Sequence, residues 1–114
     1  MTTVRGKIAL PDDVPAEAGE ILVVVEDVSR ADAPSAIVGE TRLGRTPLAP
    51  GATIPFSVEV PEDAIDPRAA YSLRVHVDVS GSGEIEKGDL VSTQSYPVLT
   101  RGAGGETVVR VRRV

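Results

Sequence analysis

His76 is the one histidine of the chain, and Arg74 and Asp78 stand two residues to either side of it. On a strand that spacing places all three side chains on one face. An imidazole beside a carboxylate is the oriented base of a hydrolytic triad, and serines are plentiful enough to offer a nucleophile. No elbow motif presents such a serine, however. His76 is therefore expected to be a solvated strand residue, and no catalytic residue is assigned.

Acidic side chains gather in three places: Asp12, Asp13, Glu17 and Glu20; then Asp27 and Asp32; then Glu84, Glu86 and Asp89. Calcium takes six to eight oxygens from loops of this kind. None of the clusters follows the D-x-[DN]-x-[DN]-G pattern of a calcium loop, so they read as solvating loops and no metal ligand is assigned. Gly102-Ala103-Gly104-Gly105, after Arg101, resembles a phosphate-cradling loop only in composition. It precedes a strand instead of a helix and lacks the lysine of a P-loop. Arg110, Arg112 and Arg113 lie on the last strand without stacking aromatics, and protection of an exposed sheet edge accounts for them. Tyr96, beside Pro97, is the one aromatic ring expected to be exposed.

Absent residue types exclude whole classes of chemistry. With no cysteine there is no disulfide scaffold, thiolate zinc site, cysteine nucleophile or iron–sulfur cluster. A net charge of −5 argues against nucleic acid as a partner. No cofactor is expected. At 114 residues the chain fits one domain spanning 1–114.

What must position any site is a set of strands. Valine, isoleucine and threonine number 18, 6 and 8, which makes 32 β-branched residues and favours pleated surface over helix. Alternation with period two marks seven strands: Val4–Leu10, Ile21–Val28, Ile37–Leu43, Ile54–Val60, Tyr71–Val79, Leu90–Leu99 and Thr107–Val114. Ile21–Val28 is apolar enough to be buried on both faces. In Tyr71–Val79 the residues Tyr71, Leu73, Val75, Val77 and Val79 point inward, with Ser72, Arg74, His76 and Asp78 outward. Pro11-Asp12-Asp13, Ala49-Pro50-Gly51 and Ser80-Gly81-Ser82-Gly83 are turns, and Pro61–Ala70 has room for one short helical turn. The expected fold is all-β: a single antiparallel β-sandwich of about seven strands, immunoglobulin-like or transthyretin-like. Ile65-Asp66-Pro67, followed by Tyr71, has the spacing of a tyrosine corner, in which the phenol bonds backbone just upstream.

Several segments also resemble a known family. Val25-Glu26-Asp27-Val28-Ser29-Arg30-Ala31-Asp32-Ala33-Pro34 is similar to the "LxDVSxADAP" segment of the YbaY-like lipoproteins, which are grouped with the YscW-type pilotin, the lipoprotein chaperone of type III secretion. Thr93 to Gly102 is similar to that family's "T-x-x-YPVLTRG". Ile54-Pro55-Phe56 and Ile65-Asp66-Pro67 through Tyr71 match its "IPFxxxY…IDPxxxY" stretch. The resemblance spans about Val4 to Val114. It implies a β-sandwich in a bacterial envelope setting and a non-enzymatic protein-interaction or chaperone-like role, since pilotins escort secretin subunits to the outer membrane. It supplies no catalytic residue.

A protein partner is accordingly expected, met through an edge strand or end loops. Asp27, Ser29, Arg30, Asp32, Tyr96 and Arg101 are the candidate recognition residues. The alternatives are a small-ligand or calcium-binding envelope domain and, further off, a hydrolase of envelope polymers. No stretch approaches the roughly 18 apolar residues of a membrane span. As written, the chain reads as soluble and unexported, with no cysteine to carry a lipid anchor. Periplasm or outer membrane is its place if a lipoprotein leader was trimmed.

Overall fold

The valine-rich run after Gly19 forms the strand around which the others assemble. In the computed structural model, which describes residues 1–29, 35–100 and 105–114, the elements in chain order are β1 (Thr2–Ala9), β2 (Glu17–Ala18), β3 (Glu20–Asp27), β4 (Ala36–Leu43), β5 (Thr46–Pro47) and β6 (Thr53–Val60). One 3-10 turn (Glu62–Ala64) follows, then β7 (Tyr71–Asp78), β8 (Leu90–Ser92), β9 (Pro97–Val98) and β10 (Thr107–Arg113). Ile21, Val23 and Val25 of β3 are fully buried in the central core, with Ile8, Val58, Val60, Leu73, Val75, Val77, Leu90 and Val109. Val24 points to the opposite face, yet it too is fully buried, between Glu40 of β4 and Arg74 of β7 in register. On that outer face Leu22 and Glu26 are only half-buried, so β3 is fully covered on the core face and covered at Val24 alone on the other.

The strands run in the order β4-β3-β7-β8-β10-β1-β6, with β9 also paired to β7. β1 and β10 pair in parallel, Gly6 opposite Thr107 through Ala9 opposite Arg110, and the other pairings are antiparallel. The two ends of the path also meet. Thr41 of β4 donates its hydroxyl to the Ser57 carbonyl of β6 at 2.6 Å, and Gly39 lies so near the Glu59 carbonyl that a Cβ would stand 2.8 Å from it. The result is a nearly closed, barrel-like mixed sheet, which corrects the expected antiparallel immunoglobulin-like or transthyretin-like sandwich. The reason is physical: alternation says which face a residue takes, and it carries no record of strand direction or of which strands end up as neighbours.

Two local expectations are also revised. Leu90–Leu99 is not one strand; it divides into β8 and β9 around residues 93–96, and β9 opens on Pro97, which has no N–H for a ladder. β10 is not an edge strand either. β1 flanks it through Thr107–Arg110 and β8 through Val111–Arg113, so edge protection does not account for its arginines.

The tyrosine corner is formed. The Tyr71 phenol donates to the Ala64 carbonyl at 3.2 Å and accepts from the Asp66 N–H at 2.8 Å, and the residue is only 2% exposed. Tyr71→Phe is therefore expected to lower the unfolding free energy by about 1–3 kcal/mol in urea titrations. A change of only a few tenths would show that the phenol bonds are not maintained in solution.

Candidate functional site

The outward face of β7 is not open to water. Ser72, His76 and Asp78 are 8%, 6% and 3% exposed, because the chain from Val79 to Ser95 folds back over them. This corrects the solvated reading of His76: strand alternation gave its direction, and a distant loop decided its environment. His76 Nε2–H donates to Asp89 Oδ2 at 2.8 Å. Asp89 also accepts from the backbone N–H groups of Val79 (3.0 Å) and Glu86 (2.9 Å). Asp78 receives the N–H of Gly81 at 3.0 Å on one oxygen and that of Gly83 at 2.7 Å on the other.

Burial pushes the Asp89 carboxyl up, but the His76 bond and the two backbone donors outweigh it and hold the group below its ordinary value. Beside it, hydrogen bonds from Ser82 and then Ser80 hold Glu86 below the usual carboxylate range.

Among the described residues, His76, Asp78 and Asp89 form a group whose ligand-type atoms lie within 4.8 Å of one another. All four carboxylate oxygens of the two aspartates already accept N–H groups. These bonds hold the Val79–Asp89 loop against β7. The nearby serines are engaged elsewhere: Ser92 Oγ accepts from Val75 N at 3.0 Å, and the Ser72 and Ser95 hydroxyls meet at 3.3 Å. The acidic loop residues expected as solvating are partly ion-paired, Glu17 with Arg45, Glu20 with Arg42 and Asp13 with Arg113. The sequence places Asp78 beside His76 on one strand face but puts Asp89 in a separate acidic loop with Glu84 and Glu86, so it does not bring the three together. An aspartate at a strand end, three residues before the first glycine of Gly81-Ser82-Gly83, is the local sign of the Asp78 turn; nothing local points to Asp89.

Of the candidate recognition residues, Asp27, Ser29 and Tyr96 are described, and Arg30, Asp32 and Arg101 lie outside the described residues. Asp27 ends β3 opposite Tyr71. Its Oδ1 accepts the N–H of Ser29 at 2.9 Å and the Ser29 hydroxyl at 2.6 Å. Ser29 Oγ in turn accepts from Ala70 N at 2.9 Å, and Val28 N–H donates to the Ala70 carbonyl at 2.8 Å. Thr100 reaches the same segment from the other side, donating its hydroxyl to the Ala69 carbonyl at 2.6 Å. The β3 exit and the β9 exit are thus tied to one short stretch, Ala69–Ala70, at one end of the barrel, and Val28 there is 40% exposed.

Tyr96 departs from expectation. It is 8% exposed, and its phenol plugs the gap left where β8 stops: it accepts from Arg110 N–H at 2.8 Å and contacts the Arg110 carbonyl at 3.3 Å, with Gln94 Nε2 donating to it at 2.8 Å. A ring flanked by a strand-breaking proline looks exposed in sequence; here it fills the slot that the break creates.

Three comparisons bear on this arrangement. The model of a family described as the type III secretion system lipoprotein chaperone (YscW) matches residues 1–111. A solved structure described as an alternative pilotin from the type II secretion system of Vibrio cholerae superposes with a TM-score of 0.75 at 18% identity, covering 99% of this chain and 96% of that one. At that identity the likeness speaks for the fold. No curated protein matches significantly.

Proposed function

Because the chain belongs to the family of type III secretion system lipoprotein chaperones (YscW), we propose that it acts as a pilotin-like chaperone of the bacterial envelope, binding a secretin subunit without transforming it. The family match over residues 1–111 carries this reading. The site geometry supports it: the buried polar groups are spent on holding a loop, and the barrel end at Asp27, Ser29, Ala70 and Thr100 is pre-organised by side-chain-to-backbone bonds. Side chains already tied to backbone, as Asp27, Ser29 and Thr100 are, lose little freedom on meeting a partner. Asp27 and Ser29, with Arg30, Asp32 and Arg101 beyond the described residues, are the proposed contacts, and Tyr96 supports the sheet behind them.

The partner is met here by the barrel end. The free-edge mode fits less well, since β4 and β6 approach each other. No helix among the described residues is long and apolar enough to cross a membrane; attachment at the outer membrane would come from a lipid anchor of the lipoprotein kind. The test is gel filtration of the purified domain with the secretin subunit of the same bacterium. Co-elution, and protection of the secretin from aggregation, is the expected result. Separate elution at micromolar concentrations with no protection would overturn the reading.

A further inference from the structure

The arginines of β10 are left without the role that sequence suggested for them. Arg110 and Arg112 are exposed on the outer face of a strand flanked by β1 and β8. Among the described residues neither guanidinium makes an ion pair or side-chain hydrogen bond, whereas Arg42, Arg45, Arg74 and Arg113 each pair with a carboxylate. In a chain with 17 acidic residues against 12 basic ones, two like charges side by side and without an ion pair of their own repel each other.

They also border a depression. Two adjoining hollows of about 360 and 470 Å³ run along this face, walled by Pro11 on one side and Thr93 on the other, and Arg112 lines both. Arg110 and Gln94 line the first, and Asp13 and Arg113, paired with each other, line the second. The floor is rigid, because the Tyr96 phenol holds both backbone groups of Arg110.

From this we infer that the β10 face is a docking groove for an acidic, extended segment of a protein partner, with carboxylates at alternate positions seated on Arg110 and Arg112. The inference rests on the chaperone reading for the class of occupant, a protein. Charge complementarity and register supply the rest. Side chains two apart on a strand project from one face about 6.6 Å apart, so an extended chain with Asp or Glu at every second residue repeats at the spacing of the Arg110 and Arg112 positions. Guanidinium forks take carboxylates in a bidentate manner, which adds orientation to attraction. The groove is distinct from the barrel end near Asp27, and an acidic segment held there would anchor the partner at a second point and raise its effective concentration at the first.

The probe is a fluorescein-labelled peptide of about ten residues with glutamate at alternate positions, read by anisotropy against the intact domain. Its glutamine counterpart and vesicles containing phosphatidylglycerol serve as the other arms. The glutamate peptide is expected to bind, to weaken severalfold between about 50 and 200 mM salt, and to bind about tenfold or more weakly to Arg110→Ser/Arg112→Ser. Arg45→Ser, which removes an exposed but paired charge, should leave binding unchanged. Should the double variant fold poorly, Arg112→Gln alone is expected to weaken binding in the same direction. Equal binding of the glutamine peptide, an unchanged affinity in the double variant, or capture of the domain by the vesicles but not by the peptide would overturn the proposal. The two readings separate cleanly. Secretin bound equally by wild type and double variant would sink the groove and leave the chaperone standing. Arginine-dependent peptide binding without any secretin binding would do the reverse.

Discussion

Asp89→Ala is expected to lower the unfolding free energy by about 3–5 kcal/mol, because it removes a buried carboxylate acceptor and strands its three donors. The carboxylate is 2% exposed and receives His76 Nε2–H, Val79 N–H and Glu86 N–H. Alanine leaves these with no acceptor at a site closed to water. The loop from Val79 to Asp89 would lose its main tie to β7, so amide exchange at Val79 and Glu86 should accelerate along with the drop in stability. If urea denaturation showed a loss under about 1 kcal/mol, the loop would be held by something other than this aspartate.

The same residue predicts a pH dependence. Its carboxyl titrates below the ordinary 3.8 in the folded chain, so the folded state holds the ionised form more tightly than the unfolded chain does. The resulting stabilisation is fully present above 3.8 and is lost as pH falls through the lower, folded value. In the acid limb the wild-type chain should therefore lose stability more steeply than Asp89→Ala. Parallel acid limbs would contradict the assignment.

Gly6→Ala is expected to cost about 3 kcal/mol, at the upper end of the range for overpacking. A Cβ there would lie 2.3 Å from the Thr107 carbonyl and 2.6 Å from Phe56 Cζ. The first contact is backbone of β10 in the parallel pair and the second is the ring that lies across the glycine from β6. The ring can turn aside; the carbonyl cannot move without opening the junction of β1 and β10. Gly44→Ala is the control, since a Cβ there meets nothing within 4 Å, and it should be neutral or stabilise by a few tenths. Similar unfolding midpoints for the two variants would mean that the β1–β10 junction is looser than described.

How far the sequence could be read is clear from particular residues. Val4, Gly6 and Ile8, or Tyr71, Leu73, Val75 and Val77, alternate so strictly that strand and inward face follow directly, and all of these except the glycine are core residues. The tyrosine corner was legible because its bonds span only five and seven residues. His76 was misjudged for the opposite reason: its burial depends on Asp89, thirteen residues away across a loop. Tyr96 was misjudged because the hole it fills exists only once β8 and β10 have paired. The ties from Ser29 and Thr100 to Ala69–Ala70 bridge 41 and 31 residues, beyond the reach of any local pattern.

The amino-acid sequence by itself determined that this chain is all-β, where most of its strands run, which side chains face the core and which family it resembles. These follow from period-two alternation, β-branched content and turn residues, all of them short-range properties. Only the tertiary structure decided that β10 lies parallel to β1, that the sheet nearly closes, that a loop seals His76 from water, and that two arginines stand unpaired over a groove. Those outcomes depend on which distant segments meet, and a side chain's face on its own strand does not specify the strand that will lie beside it.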